Sequence, residues 1–365
     1  MNKCDLFISA AEPSGDLHGA ELLKCLYPYA LNIHGIAGPR MRKLGIQTHY
    51  KAEDFNVMGF FDVIKSLPKL IPLFNKVKKT ILKLNPKVVL LIDYPGFHLR
   101  MAKALKKAGY KGQIIQYVCP TVWAWKKNRI QTMKQNLDLL LTLFPFEPQY
   151  FDSTPLRAHF VGHPLSKTIS KKELFRNKDP HLLAIFPGSR KHEILRNLPK
   201  QLKASAALKK LHPQLKIQIS VADTQLIPLI NKLNIHQYET VNPDMSSTLM
   251  QNATYGIATS GTVTLELALH GVQAVVTYGL SRVDQFIATK LFNINLPFYC
   301  IVNIILGKCV YTELIGTDFT SLSLLKNLEN LMHIENSNEI FLEFKNALTD
   351  KDNSIESSQE IMKLM

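Results

Sequence analysis

The feature that most constrains this chain is a repeated alternation. Short runs of β-branched residues and leucine are each followed by a stretch with helical spacing. In the first half the predicted strands are Leu6–Ala10, Lys87–Ile92, Gln113–Val118 and Leu137–Leu143, with predicted helices over Leu17–Leu26, Phe97–Ala108 and Lys126–Gln135. In the second half the strands are Leu182–Phe186, Lys216–Val221, Thr254–Ala258 and Ala274–Thr277, separated by helices near 191–210, 224–233 and 262–270. Such alternation builds βαβ units and a parallel sheet. A run like Val88-Val89-Leu90-Leu91-Ile92 is apolar on both faces, which suits a sheet covered on both sides. The predicted fold class is therefore α/β, with two doubly wound parallel-sheet domains joined near Phe160-Val161-Gly162-His163-Pro164. The expected division is 1–163, 164–334 and a polar helical tail over 335–365 that could cross back to the first domain. Ligands of open α/β sheets bind beyond the carboxyl ends of the strands. Two such domains facing each other would leave a cleft suited to joining two substrates.

A hydrophobic fraction of 46% and a charged fraction of 20% are ordinary globular values and exclude a disordered or fibrous chain. Five cysteines are scattered and no CxxC occurs, which points to a reducing compartment and no zinc site. The apolar stretch Leu6–Ala11 is too short for a signal peptide and meets Glu12 and Asp16 at once. No run of apolar residues is long enough to predict a transmembrane helix. The net charge is +15, and it is uneven: residues 1–163 hold 23 Lys/Arg against 11 Asp/Glu, the remainder 21 against 18. Such a field attracts nucleic acid, phosphorylated substrates or anionic lipid.

Several segments could carry chemistry. In Ile257-Ala258-Thr259-Ser260-Gly261-Thr262-Val263-Thr264-Leu265-Glu266, a strand ends, small residues turn and a helix begins. The start of that helix favours a phosphate, and Glu266, one turn on, could hydrogen-bond a ribose. The alternative is Ser260 or Thr262 as an N-cap, with Glu266 matching the helix dipole. Phe186-Pro187-Gly188-Ser189-Arg190 repeats the pattern, and Arg190 could grip a diphosphate with its planar fork or be an ordinary surface arginine. Neither a Walker A loop nor GxGxxG is present, which disfavours a nicotinamide cofactor. In the first half, Glu12-Pro13-Ser14-Gly15-Asp16 follows the first strand and could meet an anion or sugar hydroxyls, or could be a capped turn. Asp93 closes the strand before Tyr94-Pro95-Gly96 and could be a general base or an Asx-turn residue.

Trp123 and Trp125 flank a strand edge before Lys126-Lys127-Asn128-Arg129 and could stack on a ligand or pack internally. Residues 55–83 interleave apolar bulk, including Phe60, Phe61, Ile64, Leu67 and Leu70, with six lysines. That pattern suits an interfacial membrane element, or an amphipathic pair of helices covering the sheet. Pro68 and Pro72 are expected to cut it into short helices. His163 is expected to be structural. No HExxH or clustered His/Cys set occurs, so no metal is expected.

Read in order, Glu12-Pro-Ser-Gly-Asp-Leu-His-Gly, Ile36-Ala-Gly-Pro-Arg-Met, Val57-Met-Gly, Ile92-Asp-Tyr-Pro-Gly-Phe, Pro120-Thr-Val-Trp-Ala-Trp, Phe144-Pro-Phe-Glu, Val161-Gly-His-Pro-Leu, Phe186-Pro-Gly-Ser-Arg and Ser260-Gly-Thr-Val-Thr-Leu-Glu resemble the lipid-A-disaccharide synthase family over about residues 5–316. The resemblance implies a GT-B glycosyltransferase of two Rossmann-like domains, acting without a cofactor or metal. Its substrates would be UDP-2,3-diacylglucosamine and 2,3-diacylglucosamine 1-phosphate, and its products a β-1,6 disaccharide and UDP. Asp93 matches the family's proposed base and Arg190 a donor-site arginine. Ser260, Gly261, Thr262 and Glu266 match the nucleotide-binding turn and helix. Asn303 matches a family Asn near the donor site more loosely, because the segment Leu296-Pro-Phe-Tyr-Cys-Ile-Val-Asn departs from the family's Leu-Pro-Asn, and Glu313 fits Glu-Leu in the same region. Glu12, Ser14, Gly15 and Asp16 would lie on the acceptor side. Ala11 stands where the family usually has Gly and Thr121 where it has Ser.

The partners so implied are the two lipid-linked sugars and an anionic membrane surface, with room for an oligomer and no nucleic acid. The expected location is cytoplasmic, at the inner membrane. A UDP-sugar epimerase, or a transferase with a soluble acceptor, is the competing reading on the same fold. A nucleic-acid binder rests only on the charge and the two tryptophans.

Overall fold

The computed structural model describes residues 4–55, 60–123, 128–280, 296–334 and 338–365, with the backbone alone at 60–67 and 69. The chain divides into two compact units. One comprises the residues up to Pro164 together with Lys351–Met365, and the other Leu165–Asp350.

The first unit is built on seven strands: β1 Leu6–Ala10, β2 Ile33–Ala37, β3 Gln47–Lys51, β4 Val88–Ile92, β5 Gln113–Tyr117, β6 Leu139–Thr142 and β7 Arg157–Phe160. They pair in parallel in the order β3-β2-β1-β4-β5-β6-β7. β1 and β4 are buried along their whole length: β4 is apolar throughout, and the one polar side chain of β1, Ser9, is hydrogen-bonded to His98. The strand order reverses between β1 and β4, and the register sets Ala10 opposite Ile92. The segments that follow these two strands, from Ala11 and from Asp93, therefore emerge side by side at the switch point where open sheets bind ligands.

The second unit has six parallel strands: β8 Asp179–Phe186, β9 Lys216–Ser220, β10 Glu239–Val241, β11 Ala253–Thr259, β12 Gln273–Tyr278 and β13 Thr312–Ile315. Their order is β10-β9-β8-β11-β12-β13. Here the order reverses between β8 and β11, whose ends are registered Phe186 opposite Ala258. Pro187–Arg190 and Ser260–Thr262 thus leave the sheet as neighbours at a second switch point.

Two expectations change. Pro68 and Pro72 do not divide their segment, because one helix runs from Phe60 to Leu84 through both. A proline removes one backbone bond and imposes a φ the helix already has. The following turns are anchored by Val77 and Ile81, both fully buried in the core with Phe55 and Phe97. The 335–365 tail is also not one piece. Helix Glu339–Ala347 belongs to the second unit, where buried Lys345 donates its ammonium to the Ser166 and Ile169 carbonyls. Helix Asn353–Met362 belongs to the first unit and lies against helix Pro13–Leu26. Asn353 Nδ2 donates to the Tyr117 hydroxyl at 2.6 Å, Glu360 pairs with Arg157, and Ile361 is fully buried.

Candidate active site

The second unit holds a cavity of about 570 Å³ at its switch point. That is the size of a nucleotide-scale ligand site. Its floor is the turn Phe186–Arg190, one wall is Ser260–Val263 with Glu266, and Ser220–Ala222, Ser246 and Met250 close the far side. Arg190, Ser260, Gly261, Thr262 and Glu266 are thereby brought together. Thr262 is the N-cap residue of helix Val263–Leu269, but its side chain makes no capping bond. Glu266 is half-buried, and that burial raises its pKa.

Glu193 was not singled out from the sequence, yet it organises this turn. Its Oε2 accepts from the backbone N–H groups of Ser189 and Arg190, each at 3.2 Å, and its Oε1 accepts from Arg190 Nη1 at 2.7 Å. The sequence signal is its place three residues after the N-cap, the second half of a capping box. Gly188 turns with φ +115° directly against it, and a Cβ there would fall 2.8 Å from Glu193 Oε2. Those two amides are accordingly spent on Glu193 rather than offered to a phosphate, while the Arg190 side chain stays 69% exposed. Behind the opposite wall, buried Asn197 donates to Thr259 Oγ1 at 2.9 Å and accepts from Gly279 N–H at 2.8 Å.

Asn303 and Glu313 do not line this cavity. Asn303 is fully buried, its Nδ2 donating to the Tyr311 carbonyl and to Glu313 Oε1, its Oδ1 accepting from the Val310 and Tyr311 amides. Glu313 also accepts from the Tyr299 and Cys300 amides. In this structure both side chains hold the segment after Leu296 onto β13.

At the switch point of the first unit, Asp93 and Tyr94 are consecutive left-handed residues, with φ +54° and +45°. For residues with a Cβ this conformation costs about 1–2 kcal/mol each. The Asp93 carbonyl is held by two buried donors: His98 Nδ1 at 2.7 Å and Gln116 Nε2 at 3.1 Å. A buried hydrogen bond contributes about 1 kcal/mol, so two are of the size needed to offset much of the strain. The turn presents the half-exposed Asp93 carboxylate, and Ser14 Oγ donates to its Oδ2 at 2.9 Å. Glu12 lies near enough to feel that charge. Burial, with Asp93 as a second cause, pushes its pKa up to about 7.

Gly15 and Asp16 serve the scaffold. Gly15 lets the helix start press on β4, since a Cβ there would sit 3.3 Å from the Ile92 carbonyl. The Asp16 carboxylate is 3% exposed and accepts from the Arg40 and Met41 amides at 2.9 and 3.1 Å. It caps helix Pro39–Lys43 from the side, and Gly38 must be glycine because a Cβ would fall 2.3 Å from Asp16 Cγ. Asp16, expected on the acceptor side, thus has both carboxylate oxygens engaged by this helix start.

Trp123 packs edge-on against Phe146 at 5.6 Å, and Phe144 stacks on nearly buried His163 at 5.3 Å. Trp125 lies outside the described residues. So do the side chains of Phe60, Phe61, Ile64 and Leu67, whereas Leu70 packs half-buried against the core. Further along that helix Ile71, Lys76, Lys79 and Lys83 are exposed. Among the described residues no helix is long and apolar enough to cross a membrane, and no three His, Cys, Asp or Glu are grouped to hold a metal ion.

Residues 6–363 match the family model described as lipid-A-disaccharide synthetase. The chain is 40% identical over 326 residues to a lipid-A-disaccharide synthase of Chlamydia muridarum, covering 86% of this chain and 54% of that one. It is 33% identical over 353 residues to one from Trichlorobacter lovleyi, covering 93% and 90%. The chain thus spans about half the length of the chlamydial relatives it matches. Among solved structures, it resembles the glycotransferase of kitacinnamycin (TM-score 0.65, 12% identity, all of both chains). It also resembles the UDP-GlcNAc 2-epimerase of Methanocaldococcus jannaschii solved with UDP-GlcNAc and UDP (TM-score 0.55, 12% identity, 99% and 98% covered). The trehalose-6-phosphate synthase OtsA is a further likeness (TM-score 0.54, 11% identity, 99% and 98% covered). At such identities the likeness is one of fold: two parallel-sheet α/β units, as in GT-B glycosyltransferases.

Proposed function

The chain belongs to the lipid-A-disaccharide synthetase family, and we propose that it transfers 2,3-diacylglucosamine from its UDP donor to 2,3-diacylglucosamine 1-phosphate, forming the β-1,6 disaccharide 1-phosphate and UDP. The observation that carries the reading is the cavity at the β8/β11 switch point, where Arg190, Ser260–Thr262 and Glu266 meet in a chain matched by that family over residues 6–363.

An α-linked donor giving a β product needs a single inversion. The acceptor 6-hydroxyl attacks the anomeric carbon from the face opposite the diphosphate. Its proton passes to the Asp93 carboxylate, and the bond from the anomeric carbon to the diphosphate oxygen breaks. Ser14 occupies Oδ2 of Asp93 and so leaves Oδ1 to take that proton. Glu12, with its pKa raised to about 7, stays largely protonated below neutrality and spares the site a second full negative charge. The Arg190 guanidinium and the start of helix Val263–Leu269 meet the charge that develops on the departing UDP, and Glu266 takes the ribose hydroxyls. The exposed Lys76, Lys79 and Lys83, with the basic excess of residues 1–163, suit an anionic membrane surface from which the acylated sugars would be drawn. That surface would be the cytoplasmic face of the inner membrane.

Incubating the protein with both substrates in mixed micelles and weighing the products tests this. The expected result is a disaccharide 1-phosphate and one UDP per disaccharide. Conversion of the UDP-sugar alone, with no need of the acceptor, would favour an epimerase instead.

A further inference from the structure

We infer that His98 is a positioning residue for the proposed reaction, acting through the backbone of Asp93. The inference rests on the reading of Asp93 as the base that takes the acceptor proton.

His98 is completely buried, and both its ring nitrogens are engaged. Nδ1 lies 2.7 Å from the Asp93 carbonyl oxygen and Nε2 lies 2.8 Å from Ser9 Oγ. A carbonyl oxygen can only accept, so the proton sits on Nδ1, and Nε2 must accept from the Ser9 hydroxyl. The ring is thus fixed in one neutral tautomer, and its burial, which lowers its pKa to about 4, keeps it so. Tyr94 and Phe97, stacked on each other, meet the ring edge-on, with centres 6.0 and 5.6 Å from its own.

What the ring holds is the unusual part of the site. Asp93 and Tyr94 sit in the left-handed region without being glycine, and the direction of the Asp93 side chain follows from that backbone. The Asp93 amide is tied to the Tyr117 carbonyl at 2.9 Å, and the carbonyl to His98 and Gln116. The chain Ser9–His98–Asp93 therefore runs from β1 through the helix Pro95–Lys107 to the end of β4. Without the His98 donor the peptide after Asp93 keeps only the longer bond from Gln116, and the carboxylate is held less firmly in its place beside Ser14. Small errors in the placing of a base are costly in rate while leaving substrate binding intact. His98 touches neither the substrate nor the reacting atoms in this account, and its effect must vanish when Asp93 cannot act as a base.

Four variants test this with both lipid substrates and with thermal unfolding as a check on folding: His98→Phe, His98→Asn, Asp93→Asn and the double variant H98F/D93N. Phenylalanine keeps the ring volume and withdraws the donor, whereas asparagine carries an amide N–H close to where Nδ1 stands. H98F is expected to lose about thirtyfold in kcat with each KM within about twofold, H98N to stay within about fivefold of the parent, and the double variant to be no slower than D93N. Equal losses in H98F and H98N, an unchanged kcat in H98F, or a double variant slower than D93N by the full factor of H98F would each overturn the proposal alone. Near-parental turnover in D93N would overturn the underlying reading, and this proposal with it. Should H98F not fold, Gln116→Leu withdraws the second donor from the same carbonyl. It should lower kcat about tenfold in the parent and not at all in the D93N background, and an unchanged kcat in the parent would overturn the proposal.

Discussion

Acidic side chains in the first unit take their roles from their surroundings. Asp93 stands at the open end of a strand with one oxygen held by Ser14, Asp16 is consumed in capping a helix, and Glu147 is 3% exposed against Cys119 and the Phe144 amide. Burial pushes the Glu147 pKa up from 4.5 to about 8. The folded protein therefore keeps a proton that the unfolded chain releases, and stability falls as pH rises across that window. Over the whole window the loss is on the order of a few kcal/mol. Glu147→Gln removes the titration and keeps an oxygen for the Phe144 amide. Melting curves for the two proteins should nearly coincide close to pH 5 and separate toward pH 8, with the variant the more stable. Parallel curves across that range would mean that the carboxyl does not hold its proton in the folded state.

Among the elements, the interior strands could be read from the sequence and the edges could not. The interior strands are rich in apolar residues because both faces are covered: β4 is apolar throughout, β6 and β8 carry leucine-rich runs, and β5 and β9 keep isoleucines between polar residues. β3, β7, β10 and β13 are edge strands, β3 largely exposed and the others partly so, and sequences such as Gln47-Thr-His-Tyr-Lys carry little strand signal. β2 is buried, but His34 and Gly35 interrupt its run; a Cβ on Gly35 would fall 2.1 Å from the Ile8 carbonyl. The motif residues of the cavity were legible because they follow interior strands. His98 and Gln116 were not, because what they do depends on contacts with turns that no local pattern encodes, and Glu193 carried only its capping-box spacing. The closing helix Asn353–Met362 shows the same dependence, since its partners Tyr117 and Arg157 lie some two hundred residues away. Ending the chain at Asp350 should lower the melting temperature by several degrees, since burying Ile361 alone is worth about 1.5–3 kcal/mol and the buried Tyr117 hydroxyl loses its partner. An unchanged melting curve would show that the first unit does not need this helix.

On the scale of the whole molecule, two parallel sheets each reverse strand order once, and each reversal holds one set of candidate groups: Glu12, Ser14 and Asp93 in the first unit, Arg190, Ser260–Thr262 and Glu266 in the second. The division of labour proposed here follows from that arrangement, with the proton taken by the first unit and the nucleotide held by the second. It makes the two functions separable by mutation. The most direct measurement is the single-turnover rate of disaccharide formation by Asp93→Asn alongside its affinity for UDP. Asparagine tolerates the left-handed backbone of this turn and removes only the basic oxygen. The account predicts a rate lower by about 10²–10⁴-fold with UDP affinity unchanged. A rate within a few fold of the parent, or a loss of UDP affinity matching the loss of rate, would contradict it.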